Sequence, residues 1–409
     1  MRDSERLPGR PEGALPGQDG HHGGGLGAGA PWPAAGDGGR PGAAPGPAAG
    51  RPAAGGDPAT PGAAPGAFLV DSFRALQAVR PAPDRLHSAT HEEIRSGATT
   101  DVYFVKTYEV LRHLGALDTP VTADIFANRP GILCGVEEAL QLLQGLPVAV
   151  WAVDEGRPVE AGQVVMRIQG PYGAFGLYET ALLGMLASAT GWATAARRIK
   201  DVAGDAPVIC FGARHVHPAV APVMERAALV GGMDGASCIL GARLAGRDPA
   251  GTLPHAVMLI AGDTLVVAQA ADRVFPPEER RVVLVDTFQD EAVEAVRVAA
   301  ALGRRLAAVR LDTPSERGGV TPGLVREVKA RLAQAGFGHV QVIVSGGITP
   351  DRIPPLREAG ADAFGVGSYV SAAPPVDMTM DIKEVAGRPV AKRGRIPGAA
   401  PDPRLRRRL

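Results

Sequence analysis

Residues 340–368 read VQVIVSGGITPDRIPPLREAGADAFGVGS and contain one pattern twice. An apolar stretch, 340–344 and then 362–366, runs directly into a glycine-rich polar turn. Apolar stretches that do not alternate with polar residues are typical of strands buried on both faces. Because such strands are separated by helical patterns, they predict parallel βα units.

The same pattern extends toward the middle of the chain. Further candidate strands are 207–211, 281–285 and 307–311, and helical patterns such as 290–302 and 322–335 lie between the strands. Spacings of roughly 20–35 residues suit repeated βα units, for which a barrel is the natural closure. An open doubly wound sheet would show the same periodicity, so both arrangements fit at this point.

The first half of the chain is organised differently. Residues 91–114 show helical spacing, 146–153 and 164–168 are candidate strands, and 174–200 is an alanine-rich helical stretch. We therefore predict four parts: a Gly/Pro/Ala-rich leader expected to be disordered (1–66), an N-terminal α/β domain (67–205), a barrel domain (206–375), and a C-terminal segment that packs on the N-terminal domain (376–409). The basic tail of this last segment is interpreted as a solvated end.

Composition excludes several classes of function. Lys+Arg and Asp+Glu both number 43, which argues against nucleic acid or an anionic membrane as the main partner. The three cysteines, Cys134, Cys210 and Cys238, suggest neither a disulfide framework nor a zinc site and are typical of a cytoplasmic protein. No run of apolar residues is long enough to predict a transmembrane helix.

The residues that follow the candidate strands form the candidate site, because active sites of parallel α/β barrels lie at the C-terminal ends of the strands. Glycine turns let backbone N–H groups approach a phosphate, arginine binds carboxylate or phosphate, and aspartate suits Mg²⁺ or ribose hydroxyls. An internal salt-bridge network at the barrel mouth is the alternative for the charged residues. These residues are Arg214, His215, His217, Asp286, Arg310, Asp312, Ser345, Gly346, Gly347, Gly367 and Ser368.

Several short motifs, in this order and spread over most of the chain, resemble those of nicotinate phosphoribosyltransferases of the compact archaeal and bacterial form. Each motif alone is weak, and the set is specific. The motifs are TTDVYF (99–104), FGARH (211–215), GTLPHA (251–256), VRLD (309–312), SGGI (345–348), GVGS (365–368), DIKEV (381–385) and PVAKRG (389–394).

The resemblance implies an irregular parallel α/β barrel plus an N-terminal α/β sandwich domain completed by the C-terminal segment. It implies an enzyme of NAD salvage that joins nicotinate to 5-phosphoribosyl-1-pyrophosphate (PRPP), forming nicotinate mononucleotide and pyrophosphate. Mg²⁺ would be the cofactor and ATP a co-substrate coupled to turnover. A homodimer or higher homo-oligomer is expected, because the site of relatives commonly lies at a subunit interface. No structural zinc is expected, because no cysteine follows Cys238.

The resemblance also implies roles for single residues. Tyr103 would flank the nicotinate ring, with Thr252 close to it, and Arg310 would bind the nicotinate carboxylate. Arg214 would contact PRPP near the reacting centre, and His255 would be transiently phosphorylated by ATP. The remaining residues would bind PRPP: Ser345, Gly346, Gly347, Gly367 and Ser368 its 5′-phosphate, and Asp286 and Asp312 the ribose or Mg²⁺.

Four other functions compete with this one. A quinolinate phosphoribosyltransferase shares the barrel and PRPP but also decarboxylates, and it needs a denser cationic pocket; the segment 251–255 is expected to favour nicotinate. A neutral nicotinamide would not need Arg310. A lipoyl-type carrier is disfavoured because residues 155–162 contain no lysine. A non-catalytic regulatory relative is disfavoured because the site motifs are intact.

Overall fold

The computed structural model describes residues 68–409, so the expectation of a disordered leader over residues 1–66 lies outside the described residues. The first part of the described chain alternates helices with short strands. In chain order it contains α1 (Phe73–Ala78), α2 (His91–Arg95), α3 (Val102–His113), β1 (Pro120–Ala127), β2 (Gly131–Ile132), α4 (Val136–Leu143), β3 (Ala149–Ala152), β4 (Pro158–Val159), β5 (Val164–Pro171), α5 (Tyr172–Phe175) and α6 (Glu179–Ala203).

The second part contains the βα units and three further strands. In chain order it contains β6 (Val208–Cys210), α7 (Ala221–Val230), β7 (Gly235–Ala236), α8 (Ile239–Leu244), α9 (His255–Ala261), α10 (Thr264–Val274), β8 (Arg281–Leu284), α11 (Glu291–Leu302), β9 (Leu306–Leu311), α12 (Pro322–Gln334), β10 (Gln341–Val344), α13 (Ile353–Glu358), β11 (Ala363–Val366), α14 (Ser368–Ser371), β12 (Met378–Val385), β13 (Arg388–Pro389) and β14 (Arg406–Arg407).

The N-terminal domain is built on a six-stranded sheet in the order β13-β12-β1-β5-β3-β14, whose neighbouring strands all run antiparallel. Ile125 of β1 lies opposite Met166 of β5 and Met380 of β12. The buried side chains of Ile125 and Met166 belong to one hydrophobic cluster with Leu143 of α4 and Leu182 of α6. Because β12 and β14 come from the end of the chain, the C-terminal segment completes this domain, as predicted.

The second six-stranded sheet is entirely parallel, in the order β7-β6-β11-β10-β9-β8. Its edge strands β7 and β8 do not pair with each other, so the sheet forms a half-barrel that is open on one side. Residues such as Val283, Val309 and Val344 are fully or almost fully buried in one hydrophobic cluster with helix residues such as Leu332. The predicted fold class, an irregular parallel α/β barrel with an N-terminal α/β domain, is confirmed.

Helix α6 connects the two cores. Leu182 and Leu186 near its beginning belong to the N-terminal core, whereas Ala196 and Ile199 near its end belong to the barrel core. With 25 residues it is about 37 Å long at 1.5 Å rise per residue. One continuous helix therefore holds the barrel against the N-terminal sheet.

Two features differ from the sequence-based expectation. The two-residue strand β7 has no apolar run, which is why periodicity does not reveal it. The basic tail, interpreted as a solvated end, instead forms β14 beside β3, with Arg406 paired to Asp154 at 3.0 Å and Arg408 to Glu137 at 2.6 Å. Within residues 68–409, no helix combines the length and apolarity that crossing a membrane requires.

Candidate active site

Six of the predicted site residues form one hydrogen-bonded network at the C-terminal edge of the parallel sheet. Arg310 lies in β9, and Asp312 and Ser345 directly follow β9 and β10. Asp286 comes two residues after β8, while Thr252 and His255 come from the segment that leads into α9. Residues from distant parts of the sequence meet here because parallel strands direct their carboxyl ends to the same edge.

Arg310 is the centre of this network. Its Nε donates to Ser345 Oγ at 2.8 Å, Nη1 to Thr252 Oγ1 at 2.7 Å, and Nη2 to Asp312 Oδ2 at 2.9 Å. The guanidinium also lies 5.1 Å from the centre of the Phe211 ring, in a cation–π contact. A guanidinium has five N–H donors, so two remain to bind an anion while the others hold the group in place.

Asp312 and Asp286 link Arg310 to His255. Asp312 accepts a second hydrogen bond, from Ser345 Oγ at 2.9 Å, and its backbone N–H donates to Asp286 Oδ2 at 3.0 Å. The other oxygen of Asp286 lies 3.1 Å from His255 Nε2. Burial raises the pKa of the Asp286 carboxyl, and the contact with His255 acts in the opposite direction. The pair thus consists of a buried carboxylate and a partly exposed imidazole.

The two glycine turns lie beside the network. Gly346 and Gly347 have φ of +86° and +59°, a backbone conformation that favours glycine. The backbone N–H groups of Gly346, Gly347, Gly367 and Ser368 donate to no other residue in the range 68–409. Four such N–H groups in two adjacent turns are suited to binding a phosphate.

Arg352 binds the carbonyl side of the first glycine turn, a contact that no sequence pattern predicts. Its Nη1 donates to the carbonyl oxygens of Gly346 and Gly347 at 2.9 and 2.8 Å, and its Nη2 donates to Val320 O at 2.8 Å. Because Arg352 binds both carbonyl oxygens, the N–H groups of the same turn are directed away from Arg352. Phe211 was also missed as a site residue, although it is part of the FGARH motif.

Arg214 and Tyr103 are not joined to the network. Arg214 is exposed in the short 3-10 helix Ala213–His215 after β6, and its guanidinium has no hydrogen-bond or ion-pair partner between residues 68 and 409. Tyr103 lies on α3 of the N-terminal domain, is 53% exposed, and stacks on Phe104 with ring centres 4.1 Å apart. Neither His215 nor His217 belongs to a group of metal-ligating side chains within the described chain.

The carboxylates fit Mg²⁺ only together with a phosphorylated substrate. Among residues 68–409 no three His, Cys, Asp or Glu side chains are arranged to hold a metal ion. Both oxygens of Asp286 and of Asp312 already accept hydrogen bonds from the protein. Mg²⁺ commonly uses one or two carboxylates plus substrate phosphates and water, and Asp286 and Asp312 could serve in that way.

Two family models match this chain. Residues 101–190 match the N-terminal domain of quinolinate phosphoribosyl transferase, and residues 192–381 match its C-terminal domain. Together they cover more than two thirds of the sequence. The chain belongs to the quinolinate phosphoribosyl transferase family. The second match contains the whole parallel sheet and every member of the Arg310 network.

Individual relatives carry the names of two related enzymes, nicotinate-nucleotide pyrophosphorylase and nicotinate phosphoribosyltransferase. The structure of a nicotinate-nucleotide pyrophosphorylase from Pyrococcus furiosus is 46% identical, covers 77% of this chain and 82% of its own, and superposes with a TM-score of 0.73. A nicotinate phosphoribosyltransferase of Mycobacterium tuberculosis is 27% identical over 76% of this chain and 78% of its own. A probable carboxylating nicotinate-nucleotide pyrophosphorylase of Methanothermobacter thermautotrophicus is 24% identical over 65% of this chain and 89% of its own.

These comparisons correct the expected family. The assignment to ATP-coupled nicotinate phosphoribosyltransferases is wrong, since the family models and the 46% identical structure indicate the quinolinate phosphoribosyl transferase family. The expectation of ATP as a co-substrate, with a phosphohistidine at residue 255, is wrong for the same reason, because it came with the nicotinate family alone. The hydrogen bond to Asp286 accounts for His255, the first residue of α9.

Proposed function

We propose that this protein transfers the phosphoribosyl group of PRPP to the ring nitrogen of quinolinate, with loss of CO₂, in NAD biosynthesis. The observation that carries the proposal is the Arg310 network beside two glycine turns with free N–H groups. It offers a carboxylate site and a phosphate site at one sheet edge. The choice of quinolinate is supported by the family and by the 46% identical nicotinate-nucleotide pyrophosphorylase.

The residues have separate tasks in the transfer. The N–H groups of the two turns would hold the 5′-phosphate, and Arg310 would bind one carboxylate of the acceptor with its two remaining donors. Arg214, whose guanidinium has no partner among the described residues 68–409, would stabilise the charge that develops on the departing pyrophosphate. Asp286 and Asp312 would bind the ribose hydroxyls or share Mg²⁺ with the pyrophosphate.

Decarboxylation requires a proton at C2 of the ring. When the bond between C2 and its carboxylate breaks, the electron pair stays on C2, stabilised by the adjacent cationic ring nitrogen, until a proton replaces the CO₂. His255 is the imidazole within the hydrogen-bonded network, and its Nε2 lies 3.1 Å from Asp286 Oδ1. We assign His255 the role of donating that proton.

Tyr103 completes the acceptor site in this proposal only if a second copy of the chain is present. Thr252 Oγ1 accepts from Arg310 within the network, whereas Tyr103 lies on a different domain and contacts no member of that network among residues 68–409. Several apolar side chains beside the mouth are exposed, including Leu259 at 62% and Ile260 at 87% on α9. We therefore propose a homo-oligomer in which α3 of one copy faces the barrel mouth of another.

The compartment and remaining partners follow from the cysteines and the charge balance. The described cysteines are all free thiols, with Cys134 and Cys210 buried, which suits a reducing cytoplasm. Equal numbers of acidic and basic residues favour small-molecule substrates rather than nucleic acid or membrane.

A product assay tests the function directly. The full chain is incubated with PRPP and Mg²⁺ and with quinolinate, nicotinate or nicotinamide, each with and without ATP. We expect nicotinate mononucleotide and stoichiometric ¹⁴CO₂ from quinolinate labelled in the 2-carboxylate, with no dependence on ATP. Turnover of nicotinate without release of CO₂ from quinolinate would refute the choice of acceptor, and absence of pyrophosphate with all three would refute phosphoribosyl transfer.

A further inference from the structure

A wholly buried glutamate ties together two turns at the barrel mouth. Glu225 lies on α7 and its residue is 0% exposed. Its Oε1 accepts from the backbone N–H of Ala213 and from the Ser237 hydroxyl, both at 3.0 Å, and its Oε2 accepts from the backbone N–H of Cys238 at 2.5 Å. One carboxylate therefore joins the segments that follow β6 and β7.

The carboxylate has no counter-charge in contact with it. Within residues 68–409 neither lysine, arginine nor histidine forms an ion pair with Glu225. An isolated charge is costly to bury unless several donors surround it. Two of the three hydrogen bonds come from backbone N–H groups and one comes from a hydroxyl. These donors stabilise the charge only while the two turns keep this arrangement.

The first of these turns carries Arg214 of the proposed site and His215, which borders that site. Ala213 begins the 3-10 helix Ala213–His215, so the bond from Ala213 N–H fixes the residue immediately before Arg214. The imidazole of His215 lies against the second glycine turn, because a Cβ placed on Gly367 would be 2.7 Å from His215 Cε1. A shift of this turn would move both Arg214 and the wall of the phosphate site.

We infer that Glu225 is a positioning residue for PRPP: it holds the Ala213–His215 turn so that Arg214 and His215 meet the bound substrate. It does not touch substrate itself, because it lies below the turn and is fully buried. The role rests on the proposed phosphoribosyl transfer. Replacing the carboxylate by an amide would place an NH₂ group where an acceptor is needed, opposite at least one fixed N–H donor.

A double-mutant cycle separates this role from simple stabilisation. PRPP affinity is measured by calorimetry with Mg²⁺ and no acceptor for Glu225→Gln, Arg214→Ala and the double variant, together with each melting temperature. We expect Glu225→Gln to weaken PRPP binding on the order of ten-fold, and to have little further effect once Arg214 is alanine. The melting temperature should fall with Glu225→Gln in both backgrounds.

A matched control and a milder variant complete the test. Glu294 on α11 is also 0% exposed, but its carboxylate pairs with Arg297 and accepts no hydrogen bond from the segments after β6 and β7, so Glu294→Gln should lower stability and leave PRPP affinity unchanged. Ser237→Ala removes one of the three donors and should weaken PRPP binding less than Glu225→Gln, with the same dependence on Arg214; it serves if Glu225→Gln does not fold. Unchanged affinity in these variants, or full additivity with Arg214→Ala, would overturn the inference. If the wild-type protein binds no PRPP, it is the proposed function that fails.

Discussion

Replacing Arg310 by glutamine tests the centre of the site. The side chain is 16% exposed and makes three hydrogen bonds, one of them to the Asp312 carboxylate. Its loss leaves Asp312 without its cation, which costs about 1–3 kcal/mol of stability. In the reaction, the substitution also removes the guanidinium that binds the acceptor carboxylate. We therefore expect the transition state to lose about 2–4 kcal/mol of stabilisation, which is a fall in kcat/KM of about 30- to 1000-fold.

The assay is steady-state formation of nicotinate mononucleotide from quinolinate, with the KM of each substrate measured separately. Arg305→Gln is the matched control, because Arg305 precedes the opposite end of β9, is 64% exposed and pairs with Asp272. That variant should retain wild-type kinetics. If Arg310→Gln raised only the KM of PRPP and left the acceptor KM and kcat intact, Arg310 would not be the carboxylate-binding residue.

Three further predictions concern the phosphate turn, the assembly and pH. Gly346→Ala should weaken PRPP binding in calorimetry at least ~10-fold, because φ is +86° and the new Cβ would lie 3.1 Å from Asp312 Oδ1; an unchanged affinity would leave the glycine as a turn residue only. Mixing inactive Tyr103→Ala with inactive Arg310→Gln should restore about one quarter of wild-type activity if a dimer shares its sites, and no recovery after subunit exchange would contradict a shared site. Burial raises the pKa of Glu179 from 4.5 to about 7, so the stability it contributes is complete below the unfolded pKa and is lost as pH rises through the folded pKa. Glu179→Gln should therefore melt higher than wild type near pH ~8.5 and not near pH ~5, whereas an equal difference at both would exclude this titration.

Strand positions were predictable from the sequence because the barrel strands are buried on both faces. The apolar runs at 307–311 and 340–344 correspond to β9 and β10, and the residues after them meet at the sheet edge. By contrast, β7 consists of Gly235–Ala236, which shows no apolar run. Arg352 and Glu225 were missed because their roles depend on contacts with backbone atoms, which no side-chain pattern records.

The error in the family has a physical origin as well. Glycine turns and an arginine at a strand end indicate phosphate and carboxylate, and these groups are common to the substrates of both families. The segment 251–255 was expected to favour nicotinate, but in the structure it supplies Thr252 to Arg310 and His255 to Asp286. Those contacts would serve nicotinate and quinolinate equally. An enzyme distinguishes the one carboxylate of nicotinate from the two of quinolinate by the arrangement of its cations in space, which the sequence does not show.

The placement of β12 and β14 has a consequence for synthesis on the ribosome. The N-terminal sheet needs these two strands beside β1 and β3, yet both are translated after the entire half-barrel. Until they emerge, β1 and β3 each carry an edge of unpaired backbone groups that another nascent chain could occupy. The barrel can therefore fold before the domain that precedes it in the sequence, and the interval before β14 emerges is when a chaperone would matter most.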